Sequence, residues 1–246
     1  MIASISFSAV AHWFGDAQHW HGTDGVPHRL VEHLWLCGLS LAVAIAIALP
    51  VAIVLGHIRR GGTLAQNVAN IGRAVPSLAI LIIAVPIVGI GSRPAELALI
   101  ALAIPPLLTN TYVGMTGVDD DVRDAARGVG MTAWQTTTRV ELPLALPLIL
   151  AGLRTAAFQV VATATLAAVV ASGGLGRYIV DGLAVRDDTQ VVCGSLLVLA
   201  LAFLVELTIA GLQRALVPAP LRETNRPRSD KQLEESLDAI QLHPAA

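Results

Sequence analysis

Residues 119–147 read DDDVRDAARGVGMTAWQTTTRVELPLALP. The stretch is polar and charged, and it interrupts a chain of long apolar runs. Asp119, Asp120 and Asp121 open it. Aspartate accepts from the free N–H groups at a helix start and favours the positive end of the helix dipole. Val122, Ala125, Ala126 and Val129 then recur at i, i+3, i+4 and i+7. That spacing predicts a short helix with a narrow apolar stripe and with Arg123, Asp124 and Arg127 on its other side. Gly128 and Gly130 supply a left-handed C-terminal turn. Thr132 and Gln135 have the spacing of a capping box, so a second short helix follows, with Pro143 opening the next apolar run. Two readings stand: an ordinary loop with two turns of helix, or a surface built to be touched by a partner.

The rest of the chain surrounds this stretch with apolar segments. Of 246 residues, 54% are hydrophobic and 14% charged, and the mean hydropathy is +0.68. Such a chain is too apolar for an ordinary soluble domain. The formal net charge of −2 leaves no nucleic-acid footprint. The single lysine, Lys231, is followed by Gln232. A phosphate-binding loop needs Gly-Lys-Ser/Thr, so ATP hydrolysis by that route is excluded for this chain. Cys37 and Cys193 both lie inside apolar runs and read as small buried hydrophobes, not a disulfide framework.

Apolar runs cover residues 34–55, 71–90, 95–115, 144–171 and 191–217. Each is long enough to cross a hydrocarbon core of ~30 Å. Pro76 and Pro86 should bend the second run, and Pro105-Pro106 should break the third. The expected fold is all-α and polytopic, with about five transmembrane helices and the 119–147 loop between the third and fourth. Small residues four apart in the first run (Ser40, Ala44, Ala48, and Gly38, Ala42, Ala46) allow close helix packing. Residues 1–29 form an external or interfacial segment, 30–217 the membrane domain, and 218–246 a polar, disordered tail with a possible helix over 231–242. The N-terminal residues lack a basic region, which argues against a cleaved signal peptide. Trp13, Trp20 and Trp35 lie among His12, His19, His21, His28 and His33. The spacing matches no metal signature, and Trp with His reads as interfacial. Arg59, Arg60, Arg73, Arg123, Arg127, Arg139 and Arg214 fall on one side of the membrane and Arg29, Arg93, Arg177 and Arg186 on the other. The excess of positive charge puts the 119–147 loop and the C-terminus in the cytoplasm and the N-terminus outside.

In this context the loop resembles the EAA loop of ABC-importer permeases: Glu-Ala-Ala, three residues, Gly, nine residues, Ile-x-Leu-Pro. It stands here as Asp124-Ala125-Ala126, Gly130 and Val140-Glu141-Leu142-Pro143, with Asp for Glu and Val for Ile. The resemblance extends over residues 34–217 and is strongest to permeases for osmoprotectants (glycine betaine, carnitine, choline or proline). Arg73 to Ala79 resembles that family's second-helix segment. Asn110-Thr111-Tyr112 is similar to its third-helix end, although Thr109 stands where the family usually has Arg. Gly173-Gly174-Leu175-Gly176-Arg177-Tyr178-Ile179 is similar to its Gly-Gly-Leu-Gly segment, which methionine permeases share. The resemblance implies a non-enzymatic subunit in the cell membrane, without a cofactor of its own. ATP and Mg would sit on separate ATPase subunits. The other implied partners are a second permease subunit, identical or related, an extracytoplasmic substrate-binding protein, and the lipid bilayer.

On this resemblance, Asp124, Ala125, Ala126, Gly130, Val140, Leu142 and Pro143 belong to the ATPase-coupling loop. Asn110, Tyr112, Gln159 and Thr163 are candidates to line the pathway. Thr155, Gln159 and Thr163 are four apart, and the same face also suits interhelical hydrogen bonds. Gly173, Gly174 and Gly176 form either part of an outer gate or an external turn. Arg154 and Glu206 are the deepest charges in the apolar runs, each ~15 Å from the cytoplasmic end at ~1.5 Å per residue. They either pair or snorkel separately to the interface. Quaternary amines need an aromatic cage for tight binding. Aromatic residues are only 4% of the chain, so that cage is expected on the binding protein. The alternatives are a permease for another small solute such as methionine, and an ion-coupled secondary transporter. The latter would favour mid-membrane ionisable residues and internal repeats.

Overall fold

The computed structural model describes residues 6–74 and 76–217, and no strand occurs among them. The expectations for Val75 and for residues 1–5 and 218–246, including the helix over 231–242, lie outside the described residues.

The N-terminal segment forms α1 (Phe7–Gly15) and a 3-10 turn (Ala17–Trp20). Ser6 caps α1 by accepting from Ala9 N at 3.1 Å. Trp13 departs from the interfacial reading. Its ring is buried, stacked 4.1 Å from His19 and edge-on to Tyr178 at 5.5 Å. It fills the space between α1 and a later helix. Trp35 remains exposed.

α2 (Val26–His57) is 32 residues long. Ser40, Ala44, Ala48, Ala52 and Gly56 recur every four residues on its buried face. A Cβ on Gly56 would meet the Met115 Cβ at 2.4 Å. Small side chains let α2 lie directly against α5 (Ser92–Thr116), the pairing that organises the bundle. Gly38, Ala42 and Ala46 face outward.

The single span expected over 71–90 is two helices, α3 (Gly62–Ala74) and α4 (Ser77–Val88). Gly62–Gly72 and Ser77–Val88 make an angle of 88°. Pro76 is the N-cap of α4, and a proline pushes the residue before it out of helical conformation. The expected break at Pro105-Pro106 is absent: α5 runs through both. Each proline removes a ladder donor, and the helix nonetheless stays continuous. The Pro105 ring occupies the space where a Cβ on Gly72 would stand, and the Asn110 side-chain amide donates to Pro106 O at 2.8 Å.

After α6 (Asp120–Gly128), the second short helix is not separate. α7 (Ala133–Thr136), a π turn (Thr137–Glu141), α8 (Leu142–Thr163) and a 3-10 segment (Ala164–Val170) follow without interruption. They make one apolar span of 38 residues. α9 (Gly176–Val185), absent from the expectations, packs on α10 (Asp188–Leu216). Among the described residues four helices are long and apolar enough to cross a membrane, or five if the bent α3–α4 pair counts as one span. The core lies between α2, α5 and α8. α6 sits at one end of the bundle and the glycine loop before α9 at the other.

Candidate functional site

α6 is built as the sequence suggests. Asp119 accepts from Asp121 N at 3.0 Å, and Asp120 and Asp121 lie in the first turn with Arg127 in the last. Gly130, at φ +83°, lets the chain turn back so that Met131 N donates to Ala126 O at 3.1 Å. The Thr132–Gln135 capping box is formed, with both reciprocal bonds present.

The expected apolar stripe of α6 is split, and Arg123 leaves the polar side to join its inward face. Arg123 and Ala126 face the protein, whereas Val122, Ala125 and Val129 face outward. The reason is electrostatic. The Arg123 Nε pairs with Glu141 Oε1 at 2.7 Å, and the two side chains are 3% and 0% exposed. Arg123 also donates to His57 O at 2.6 Å. A buried carboxylate demands a charged partner, and that demand outweighs the weak preference of three small apolar residues. Val129 and Trp134, 77% and 76% exposed, then form an outward apolar face beside Asp124. Among the described residues Asp124 pairs only with its helix neighbour Arg127, at 3.2 Å. Of the other motif residues, Ala125 is exposed, Ala126 buried, Val140 and Leu142 half-buried and Pro143 exposed.

Glu141 was legible only as the variable position of the motif. Its Oε2 lies 2.7 Å from His57 Nδ1. An ionised carboxylate only accepts, so Nδ1 carries the hydrogen of that bond. The Thr137 hydroxyl lies 2.9 Å from the same nitrogen. The π turn makes this cluster possible. One extra residue rotates the chain by about 100° relative to a regular helix and turns Glu141 inward. Arg59 adds a second tie, donating to Val118 O at 2.6 Å and pairing with Asp120 at 3.0 Å.

Between α3, α5 and α8 lies a cavity of about 240 Å³ lined by Gly72, Thr109, Asn110, Thr155 and Gln159 among others. Among the described residues its lining bears no formal charge and no aromatic ring. The buried Oε1 of Gln159 and Oγ1 of Thr109 have no hydrogen-bond partner among the described residues. Asn110 and Gln159 thus share one cavity, joined by Thr155. Tyr112 and Thr163 do not line it. Tyr112 packs its hydroxyl beside Gly62, and Thr163 ends α8.

At the opposite end, the glycine loop is fastened to the start of α2. Gly174 N donates to Glu32 Oε2 at 2.9 Å, and Glu32 pairs with Arg29 at 2.8 Å. Gly174 has φ +96°, a region L side chains rarely adopt. A Cβ on Gly176 would lie 2.2 Å from Thr165 O, so the loop seats directly on backbone. The buried His33 ring contacts Val161 O through Nε2 at 3.1 Å. Tyr178 donates to Asp24 O at 2.5 Å. Burial pushes its hydroxyl up to about 12, so it stays a donor at any working pH. The signal for α9 was available: Arg177 and Asp181 are four apart and pair at 2.7 Å.

Arg154 and Glu206 come together, with Arg154 Nε 2.6 Å from Glu206 Oε1, joining α8 to α10. Both cysteines are free and buried. Among the described residues no three His, Cys, Asp or Glu side chains converge as a metal site would require.

Comparison with known proteins agrees with this geometry. Residues 38–221 match the family described as binding-protein-dependent transport system inner membrane component. The glycine betaine/carnitine/choline transport system permease protein of Bacillus subtilis (strain 168) is 35% identical, over 79% of this chain and 90% of that protein. A carnitine transport permease protein of Listeria monocytogenes is 37% identical over 78% and 88%. An osmoprotectant import permease protein of Salmonella typhimurium is 32% identical over 78% and 91%. A chain of the MetNI methionine ABC transporter, in an inward-facing conformation, superposes with a TM-score of 0.68 at 22% identity, covering 78% of this chain and 96% of that one. At that identity the likeness carries the fold alone.

Proposed function

The chain belongs to the binding-protein-dependent transport system inner membrane component family, the membrane permeases of ABC importers, and on that premise we propose that it imports an osmoprotectant such as glycine betaine, choline, carnitine or proline. The similarity to permeases named for such solutes supports the choice of solute. A methionine permease shares the architecture but only 22% of the sequence, which does not favour methionine.

The observation that carries the mechanism is the outward face of α6 and α7. Val122, Ala125, Val129 and Trp134 leave an exposed apolar surface at one end of the bundle, with Asp124 and Arg127 beside it to set register. This face docks a separate ATPase subunit, which holds the ATP and Mg. The α6 end faces the cytoplasm, as the placement of Arg59, Arg123, Arg127 and Arg139 favours, and the glycine loop faces outside. There Gly173, Gly174 and Gly176 form part of the outer gate and receive solute from the binding protein. A second permease subunit completes the pathway. Asn110, Thr155 and Gln159 line the pathway within this chain. A neutral cavity with unpaired hydrogen-bonding groups suits brief, weak contact with a solute whose tight recognition is made elsewhere.

The ATPase interface is tested by Trp134→Glu. Membrane insertion stays normal while ATPase co-purification and uptake are lost. Retained co-purification refutes the docking face. Ala125, not the buried Ala126, is the second position to load with a bulky charge. The solute is tested with purified complex in vesicles and labelled betaine, choline, carnitine, proline and methionine. ATP-dependent uptake of at least one of the first four supports the reading. Uptake of methionine alone, or uptake driven by an ion gradient without ATP, overturns it.

A further inference from the structure

We propose that Glu141 is a positioning residue that clamps α6 to the end of α2, and that α2 then carries the coupling stroke as a rod to the glycine loop. This rests on the importer reading above. The clamp is the buried carboxylate. It holds His57, in the last turn of α2, through Oε2 at 2.7 Å, and Arg123 of α6 through Oε1 at 2.7 Å. Arg123 closes the triangle on His57 O at 2.6 Å. Withdrawing Arg123 or Glu141 leaves the other charge buried without its partner, which is far costlier than moving the cluster together. α6 and the end of α2 therefore shift as one body, and the π turn that carries Glu141 hands the same movement to α8.

The rod follows from where α2 goes. It is one continuous helix, Val26–His57, that runs through Pro50 without a break. Twenty-five positions before His57 stands Glu32, ~38 Å away at ~1.5 Å per residue. There Glu32 holds Gly174 N at 2.9 Å, and the adjacent His33 contacts Val161 O at 3.1 Å. A displacement of the ATPase-facing helix thus has a route to the opposite end of the bundle through a single continuous helix fastened at both ends, one physical connection by which distant sites couple.

The test uses the reconstituted complex with its ATPase and binding protein, with labelled glycine betaine as probe. Glu141→Gln keeps the side-chain shape and leaves the outward face of α6 untouched. The expected result is retained ATPase co-purification, an unchanged KM for ATP, and uptake per ATP hydrolysed reduced about tenfold or more. Glu141→Asp restores a substantial part of that ratio. Glu32→Gln, at the far end of the rod, lowers the ratio as well, and the Glu141→Gln/Glu32→Gln double variant falls no further than the worse single variant. A wild-type ratio in Glu141→Gln, or effects that multiply in the double variant, overturns the proposal.

A solute-independent arm separates the clamp from the importer reading. In the purified permease, Glu141→Gln accelerates amide exchange in α6 about tenfold or more while α10 is unchanged. Unchanged exchange in α6 rejects the clamp. If Glu141→Gln fails to fold, His57→Gln, which leaves the carboxylate–arginine pair in place, is carried through the same measurements with the same expected and overturning results. A wild-type complex that neither transports nor hydrolyses ATP in response to loaded binding protein counts against the importer reading, while the exchange result still decides the clamp.

Discussion

Two arginine–glutamate pairs join distant helices in this protein, and they are built in opposite ways. Arg123–Glu141 is sealed, with side chains 3% and 0% exposed. Its carboxylate also meets His57, and its arginine also meets a backbone carbonyl. Arg154–Glu206 lies on the flank of the bundle, its side chains 45% and 25% exposed. Among the described residues both partners spend their charge on each other alone. The first pair overrules a helix's own apolar stripe and decides which way α6 faces. The second braces two helices, α8 and α10, whose packing is already set by their apolar faces. An ion pair specifies structure when burial leaves it no alternative partner. On a helix flank it mainly makes two charges tolerable.

The sharpest way to break this comparison is to remove one carboxylate from each pair. Glu141→Ala strands a buried arginine and should destabilise the purified protein by about 3–5 kcal/mol, visible as a lower thermal midpoint and lost transport. Glu206→Ala in the same assay should lower the midpoint less. Equal losses would erase the distinction. Charge reversal gives a smaller, more discriminating effect. Arg154→Glu with Glu206→Arg should recover most of the yield lost by either single reversal, because the pair asks only for opposite charges. Arg123→Glu with Glu141→Arg should not recover, because the guanidinium would then face His57 Nδ1–H, donor against donor. The smallest change probes the margin of the sealed cluster. Thr137→Val removes the hydroxyl 2.9 Å from His57 Nδ1 and should cost about 1 kcal/mol. A loss as large as that of Glu141→Ala would mean that the hydroxyl, not the carboxylate, holds the cluster.

Much of the fold was legible because its signals are local. Apolar runs marked the spans, Asp119 and Thr132 marked helix starts, and Gly130 marked a stop. The Arg154–Glu206 pair was open to inspection as two deep charges at matching depth. The 88° bend between α3 and α4 was legible as a proline and wrong in extent, since a proline signals a break but not an angle. The unbroken course of α5 through Pro105-Pro106 was not legible at all, because the Pro105 ring packs against Gly72 of another helix. α9 is short, and Gly173, Gly174 and Gly176 at its start signal a turn more strongly than a helix.

The sequence by itself determined that this chain is a helical membrane protein, where its polar loop lies, how that loop's helices begin and end, and which family it joins. Hydropathy runs, caps and motif spacing act over a few neighbouring residues, so they can be read along the chain. Only the tertiary structure decided which face of α6 turns outward and that Glu141 is its anchor. Those outcomes depend on Glu141 meeting His57 across 84 positions and on Arg123 meeting the same residue across 66. Burial of a charge is a property of the assembled bundle, and no local pattern records it.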